Sequence, residues 1–346
     1  SGDELADKAP LASPTFTGTA TFSGDIVPST PLSHRNMIIN GGFDVWQRGT
    51  SFTADNVFTA DRWKSTDGSG GSPARTASRE VFTLGQTDVP DAHYYFRHNQ
   101  TGASTNGNSS LVTNIEDVTK TAGKTLTLSF YAKANSSMTI GLRFIQAFGT
   151  GGSPSASVEI TETTVTIGTS WAKHTATVTM PSMSGKTIGT DGVHTSSTIL
   201  NIDFNPTGTF TFEIARLQLE LGSSETPFEH RSYGDELAKC RRYYQRFGDA
   251  NYMGLSAGVQ GSAITTKCFF IFPVEMCKPP TISYSDLIIT DRTNYDLAVS
   301  SFSGSNISTD CAYLSIGHAS GGAHYYAAIL STTHSNAGWL AFTAEL

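Results

Sequence analysis

From residue 35 to about residue 232 the chain is a succession of short runs in which apolar and polar side chains alternate, each run closed by Gly, Asn, Asp or Pro. Residues 126–132 (L-T-L-S-F-Y-A), 157–162, 163–167, 175–180, 199–204 and 210–220 all carry this period of two. It is the mark of strands with one face in a core and the other in water. No run in this stretch places apolar residues at helical spacing. Half-buried strands must stack their apolar faces on one another, so many of them over some 200 residues predict an all-β fold, a two-sheet sandwich of jelly-roll type.

Charge and composition narrow the partners. The 346 residues hold 23 Lys plus Arg against 30 Asp plus Glu, a formal charge of −7, which argues against a general grip on nucleic-acid phosphates. Only 15% of residues are charged, below the roughly 25% of an average soluble domain, so Thr, Ser, Gly and Asn must cover much of the surface. No apolar run approaches the roughly 20 residues that span a bilayer, so no membrane insertion is expected. Residues 1–10 have neither the basic nor the apolar region of a secretion signal. Cys240, Cys268, Cys277 and Cys311 form no C-x-x-C pair, so buried reduced thiols are expected ahead of a disulfide. The nine histidines contain no H-x-x-x-H pair, which removes the usual transition-metal signature.

Four segments follow from the pattern. Residues 1–33 read as a stem and linker: residues 10–24 place Phe16 and Phe22 among alternating Thr, in strands too short to bury a face within one chain. Residues 34–232 are the sandwich. Residues 233–248 read as a short helix in which Asp235 caps and Leu237, Cys240, Tyr244 and Phe247 form an a/d seam, with Gly248 ending it. That seam suits a three-helix collar or docking on the chain's own sandwich. Arg241, Arg242 and Arg246 then fall on its solvated face. Residues 249–346 return to strand signals and form a β-rich tip.

Several of these residues resemble a known family. Residues 6–19 (A-D-K-A-P-L-A-S-P-T-F-T-G-T) are similar to the recurring stem motif of bacteriophage tail fibres. Residues 36–52 (N-M-I-I-N-G-G-F-D-V-W-Q-R-G-T-S-F) and 60–63 (A-D-R-W) resemble the opening of the carbohydrate-binding-module-like jelly roll in phage tail fibre and tailspike proteins. Residues 217–232 (L-Q-L-E-L-G-S-S-E-T-P-F-E-H-R-S) and 237–247 match its close. The resemblance implies a homotrimeric virion fibre, assembled in the host cytoplasm, that joins other phage tail proteins and binds host surface polysaccharide. It implies no enzyme and no cofactor other than a structural calcium. A glycan depolymerase and a purely structural virion appendage are the alternatives.

Sugar binding needs an aromatic ring for the C–H face of a pyranose and polar side chains for its hydroxyls. Among the aromatics of the sandwich, Trp46 and Trp63 belong to the opening motif and are expected in the core, with Arg48 and Asp61 paired at that corner. Trp171 is a further aromatic candidate. Tyr94 and Tyr95, followed by Arg97, lie on one strand, so one ring faces the core and the other faces out. In the tip, His324, Tyr325, Asn336 and Trp339 are the candidate glycan contacts, with core packing the competing role for Trp339. Asp44 and Glu213 hold the places that the family resemblance gives to calcium ligands, although Ala215 and Arg216 stand where an acidic pair is frequent. No H-E-x-x-H or phosphate-loop motif is present.

Overall fold

The computed structural model describes residues 34–67, 74–103, 109–204, 206, 208–291, 297–319 and 326–346. The expected stem, residues 1–33, lies outside them. Among the described residues the chain is all-β apart from one α-helix and two 3-10 turns. Its first unit is a sandwich of two antiparallel sheets. One runs in the order Ser51–Phe52, Arg75–Val81, Tyr94–Gln100, Phe210–Leu221, Thr125–Ala134, Ala172–Thr179. The other runs Thr163–Ile167, Met138–Ala147, Ser197–Phe204, Ser109–Glu116, Lys64–Asp67, Val57–Phe58, with Val158–Glu159 added beside Met138–Ala147.

Alternation decides what each strand gives to the core. In Thr125–Ala134, Leu126, Leu128, Phe130 and Ala132 are wholly buried between the sheets, while Tyr131 and Lys133 lie on the opposite face. Each such Leu or Phe contributes about 1.5–3 kcal/mol relative to exposure. The strand Phe210–Leu221 carries a bulge between Ala215 and Gln218, with Arg216 in the left-handed region at φ 54°. Phe212 and Ile214 face inward before the bulge and Leu217 and Leu219 after it. The extra residue therefore shifts the alternation by one and puts Glu213, Gln218 and Glu220 all on the outer face.

The opening motif closes one edge of the sandwich by burying amides. Asn36 donates to Leu217 O at 3.0 Å and accepts from Ile38 N. Asn40 donates to the carbonyls of Val45 and Asp61 and accepts from Val45 N, while Trp63 Nε1 donates to Asn40 O. Gly41 is required, because a Cβ there would sit 2.1 Å from Leu217 O. Trp63 is fully buried beside Phe43, and Arg48 lies 3.6 Å from Asp61. Burial pushes the Asp61 carboxyl up to about 6 even with Arg48 beside it.

The helix spans Tyr233–Arg241 and is shorter than the a/d spacing predicts. Ser232, rather than Asp235, is the N-cap: its side chain accepts from Asp235 N and donates to Asp235 Oδ2. The seam does not form, because Tyr244–Gly248 is a strand paired along its length with Trp339–Thr343. Two aromatics in a five-residue run favour a pleated surface, and pairing with the central strand of a sheet outweighs a weak helical spacing. Arg242 is not on a solvated face either. It holds Glu116 of the sandwich with two hydrogen bonds of 2.9 and 2.7 Å.

Beyond the helix lie a three-stranded sheet (Tyr244–Gly248, Trp339–Thr343, Thr281–Ser285) and a closed six-stranded barrel. The barrel runs Gly254–Ser262, Thr265–Ile271, Cys311–His318, Leu297–Ile307, Leu287–Asp291, Ala327–Thr332 and back to the first strand. The four cysteines are free, and Cys240, Cys268 and Cys277 are buried. No helix among the described residues is long and apolar enough to cross a membrane. The C-terminal tail returns to the sandwich: Glu345 pairs with Arg62 and, at 3.1 Å, with Arg48, and Asn114 donates to Leu346 O at 2.7 Å.

Two predictions follow from this packing. Arg62 is 2% exposed, so Glu345→Gln leaves a buried cation short of its counter-charge and should cost about 3–5 kcal/mol in chemical unfolding. A loss under about 1 kcal/mol would show that the pair does not hold the tail. His98 is sealed between Phe204 and Phe210, 4.6 and 5.4 Å away, and burial pulls its pKa down to about 3. The unfolded chain takes up this proton below about pH 6.5 and the folded chain does not. The full contribution is therefore present above pH 6.5 and is lost progressively as the pH falls toward 3, about 2 kcal/mol of it between pH 7.5 and 5. Unfolding curves of His98→Phe should lack this part of the acid slope.

Candidate functional site

The outer face of the six-stranded sheet carries an aromatic cluster that the sandwich core does not use. Phe82 comes from the connection after Arg75–Val81, Tyr95 from Tyr94–Gln100, Tyr131 from Thr125–Ala134, and Trp171 from the residue before Ala172–Thr179. Phe82 is buried, and the other three are partly exposed. Phe82 lies tilted against Tyr95 at 4.7 Å and against Trp171 at 5.2 Å, and Tyr95 meets Trp171 edge to face at 5.4 Å and 80°. Mutual tilting of this kind fixes the rings without a rotamer left to order on binding.

Polar side chains interleave with the rings. Glu213 accepts from Arg97 Nε at 2.7 Å and lies 3.0 Å from Lys133 Nζ. Arg97 also reaches Glu80 at 3.1 Å and donates to the Tyr95 hydroxyl oxygen at 3.0 Å. Lys133 lies 5.3 Å over Trp171 and Arg97 5.6 Å over Tyr95. Farther along, Thr211 donates to Asn99 Oδ1 at 3.0 Å. Burial, with Glu213 adding to it, holds the Tyr95 hydroxyl above its ordinary pKa. For Arg97 burial would lower the pKa, but the Glu213 contact outweighs it and raises the value. At neutral pH the face therefore offers a protonated phenol, fixed cations and fixed carboxylates around exposed ring surface. It can satisfy hydroxyls with donors and acceptors while a ring covers an apolar patch.

The sequence candidates divide. Tyr95 and Arg97 stand together on this face. Tyr94 is directed to the other side of its strand, 4.3 Å from His93 and beneath Arg79. Asn336 is an exposed turn residue whose amide donates to Asp286 at 3.3 Å. Trp339 is half-buried in the three-stranded sheet, 5.0 Å beneath Arg246. His324 and Tyr325 lie outside the described residues. Tyr131 and Phe82 were not singled out by sequence reasoning. Tyr131 follows Phe130, and such a pair of adjacent aromatics on one strand always sends one ring outward, so the signal was there.

The suggested calcium ligands do not make a donor set. Glu213 is already neutralised by Arg97 and Lys133, while Asp44 lies by the opening motif, its carboxyl raised by burial with Glu236 adding to it. Among the described residues no three His, Cys, Asp or Glu side chains gather as a metal would require.

No family model matches the chain. No curated protein matches it either. Among solved structures it is similar to the N-terminal cellulose-binding domain of Cellulomonas fimi β-1,4-glucanase C, at 13% identity over 51% of this chain and 97% of that one, with a TM-score of 0.32. A family 11 carbohydrate-binding module from Clostridium thermocellum, solved with a β-1,3-1,4-mixed-linked tetrasaccharide, is 17% identical over 52% of this chain and 98% of that one, with a TM-score of 0.31. The enzymatically active domain of tailspike protein 4 of bacteriophage CBA120 is 15% identical over 54% of this chain and 21% of that one, with a TM-score of 0.32. Likeness at these scores does not bear on what this chain binds.

If no calcium holds the sandwich, removing divalent cations with a chelator should leave its melting temperature unchanged to within about 1 °C, since only a ligand of the native state raises it. A fall of several degrees, reversed by calcium, would overturn that expectation.

Proposed function

We propose that this chain is a non-enzymatic, receptor-binding part of a phage tail fibre that attaches to host surface glycan through the outer face of its six-stranded sheet. The observation that carries the glycan reading is the convergence of Tyr95, Tyr131 and Trp171 with Arg97, Lys133 and Glu213 on one solvent-facing surface. Rings of this kind cover the C–H side of a sugar, and the ion-paired groups between them take its hydroxyls. The fibre reading rests on the stem motif of residues 6–19 and on the bracketing motifs of the sandwich. In a homotrimer on the virion, seated on other tail proteins, three weak sites per fibre lengthen residence on the cell by effective concentration.

The non-enzymatic reading is supported by the state of the carboxylates on this face. Glu80 and Glu213 are both held by Arg97, whereas a glycosidase places a pair of carboxyl groups on either side of the scissile bond.

The test is binding of the labelled full chain to a panel of bacterial lipopolysaccharides and capsular polysaccharides, before and after periodate oxidation. Saturable binding lost on oxidation is expected, with the polysaccharide left at its original length. Trp171→Ala and Tyr131→Ala should each weaken it by about tenfold, the usual loss when a base or sugar loses its ring partner, with the fold retained by circular dichroism. Undiminished binding by both variants would remove the face from consideration, and shortened polysaccharide would make the chain a depolymerase.

A further inference from the structure

A second site lies away from the aromatic face. Between the sandwich and the helix is a cavity of about 750 Å³, walled by the opening segment, the turn Val118–Lys120, the end of Phe210–Leu221 and the helix Tyr233–Arg241. Its lining holds six cations (Arg35, Lys120, Lys124, Arg231, Lys239 and Arg242) and only two carboxylates, Glu116 and Glu220. In a chain of net charge −7, this is a local reversal of sign.

The carboxylates do not cancel it. Glu116 is taken by Arg242 with two hydrogen bonds, and Arg231 is matched by Glu229 and Glu236 at 3.3 Å each. Glu220 accepts from Thr226 N at 3.0 Å and from Gln218 Nε2 at 2.9 Å, while Arg35 stays 4.0 Å away. Lys120 is 3.9 Å from Asp117, and Lys124 donates to a backbone carbonyl, Lys120 O. No carboxylate partners Lys239 among the described residues. Arg35 and Lys120 are thus held only by long ion pairs of 4.0 and 3.9 Å, and Lys124 and Lys239 by none among the described residues, so three separate parts of the chain bring positive charge to one concave surface. Like charges held together in a cleft repel one another and focus an attractive field on an anion.

The cavity also tells what kind of anion fits. Its volume is that of a site for an organic ligand rather than for one phosphate or sulfate, and its cations come from separate segments of the lining. Ser223 and Ser224 add hydroxyls to the lining, and Met37, Ile39 and Leu221 add apolar side chains. We propose that this cavity binds a short acidic oligosaccharide segment, whose carboxylate, sulfate or phosphate groups meet Arg35, Lys120, Lys124 and Lys239. The site is independent of the aromatic face, and either can fail without the other.

The test is calorimetric titration of the full chain with three acidic probes, trigalacturonate, disialic acid and a chondroitin sulfate tetrasaccharide, and with neutral maltotriose. At least one acidic probe should bind saturably and more weakly as salt rises, with maltotriose at least about tenfold weaker. The exposed-charge variant Lys120→Gln/Lys124→Gln/Lys239→Gln should lose about tenfold for that probe, while Trp171→Ala keeps wild-type affinity for it. No saturable binding of any acidic probe, equal binding of maltotriose, or an undiminished affinity in the triple variant would each overturn the proposal. A loss in Trp171→Ala equal to that in the triple variant would assign the acidic sugar to the aromatic face and overturn it too.

Discussion

A guanidinium buried as deeply as that of Arg62 has to find a counter-charge, and the one it finds is Glu345, next to the last residue of the chain. Left unpaired, such a group costs several kcal/mol, so the pair binds the start of the sandwich to the end of the tip. Arg62 sits at φ 72°, between Asp61, which is tied to Gln47 and Arg48, and Trp63, which fills the core. The corner that carries the buried amides therefore also receives the tail. Tyr243 lies under the same guanidinium at 3.5 Å and turns its hydroxyl to Glu116, which Arg242 holds as well. Sandwich, helix and tip meet through this one set of charges, and the two parts of the chain are not beads on a flexible linker.

The electrostatics of the two candidate sites differ in a way that sorts their ligands. On the sheet face, cations and carboxylates are matched one against another, so the net field is small and ring area with hydroxyl-sized contacts dominates. In the cavity beside the helix, positive charge is left over. A neutral sugar gains from the first arrangement and an acidic one from the second, because a paired ion offers hydrogen bonds without much net attraction. A surface polysaccharide that carries both kinds of sugar would engage both.

The bulge in Phe210–Leu221 has a part in each site. Were Arg216 kept in a regular ladder rather than bulged, Glu213 and Glu220, seven positions apart, would point to opposite faces of the sheet. With the bulge, Glu213 anchors Arg97 and Lys133 on the aromatic face while Glu220 orders the turn after the strand through Thr226. A break in the period of two is what lets one strand serve both.

Period-two alternation was enough, from sequence alone, to read the all-β sandwich, that one ring of Tyr94 and Tyr95 faces outward, and the β-rich character of the tip, because side-chain alternation is a local property of a strand. Three features belonged to the tertiary structure. The helix stopped at Arg241 because a distant strand, Trp339–Thr343, was there to pair with residues 244–248. Glu213 meets Arg97 and Lys133 because three strands side by side bring those groups together. Trp171, Tyr131 and Phe82 joined Tyr95 because sheet order, not sequence distance, decides which outward rings are neighbours. Local pattern sets which way a side chain faces, and only the long-range pairing of strands sets what it faces.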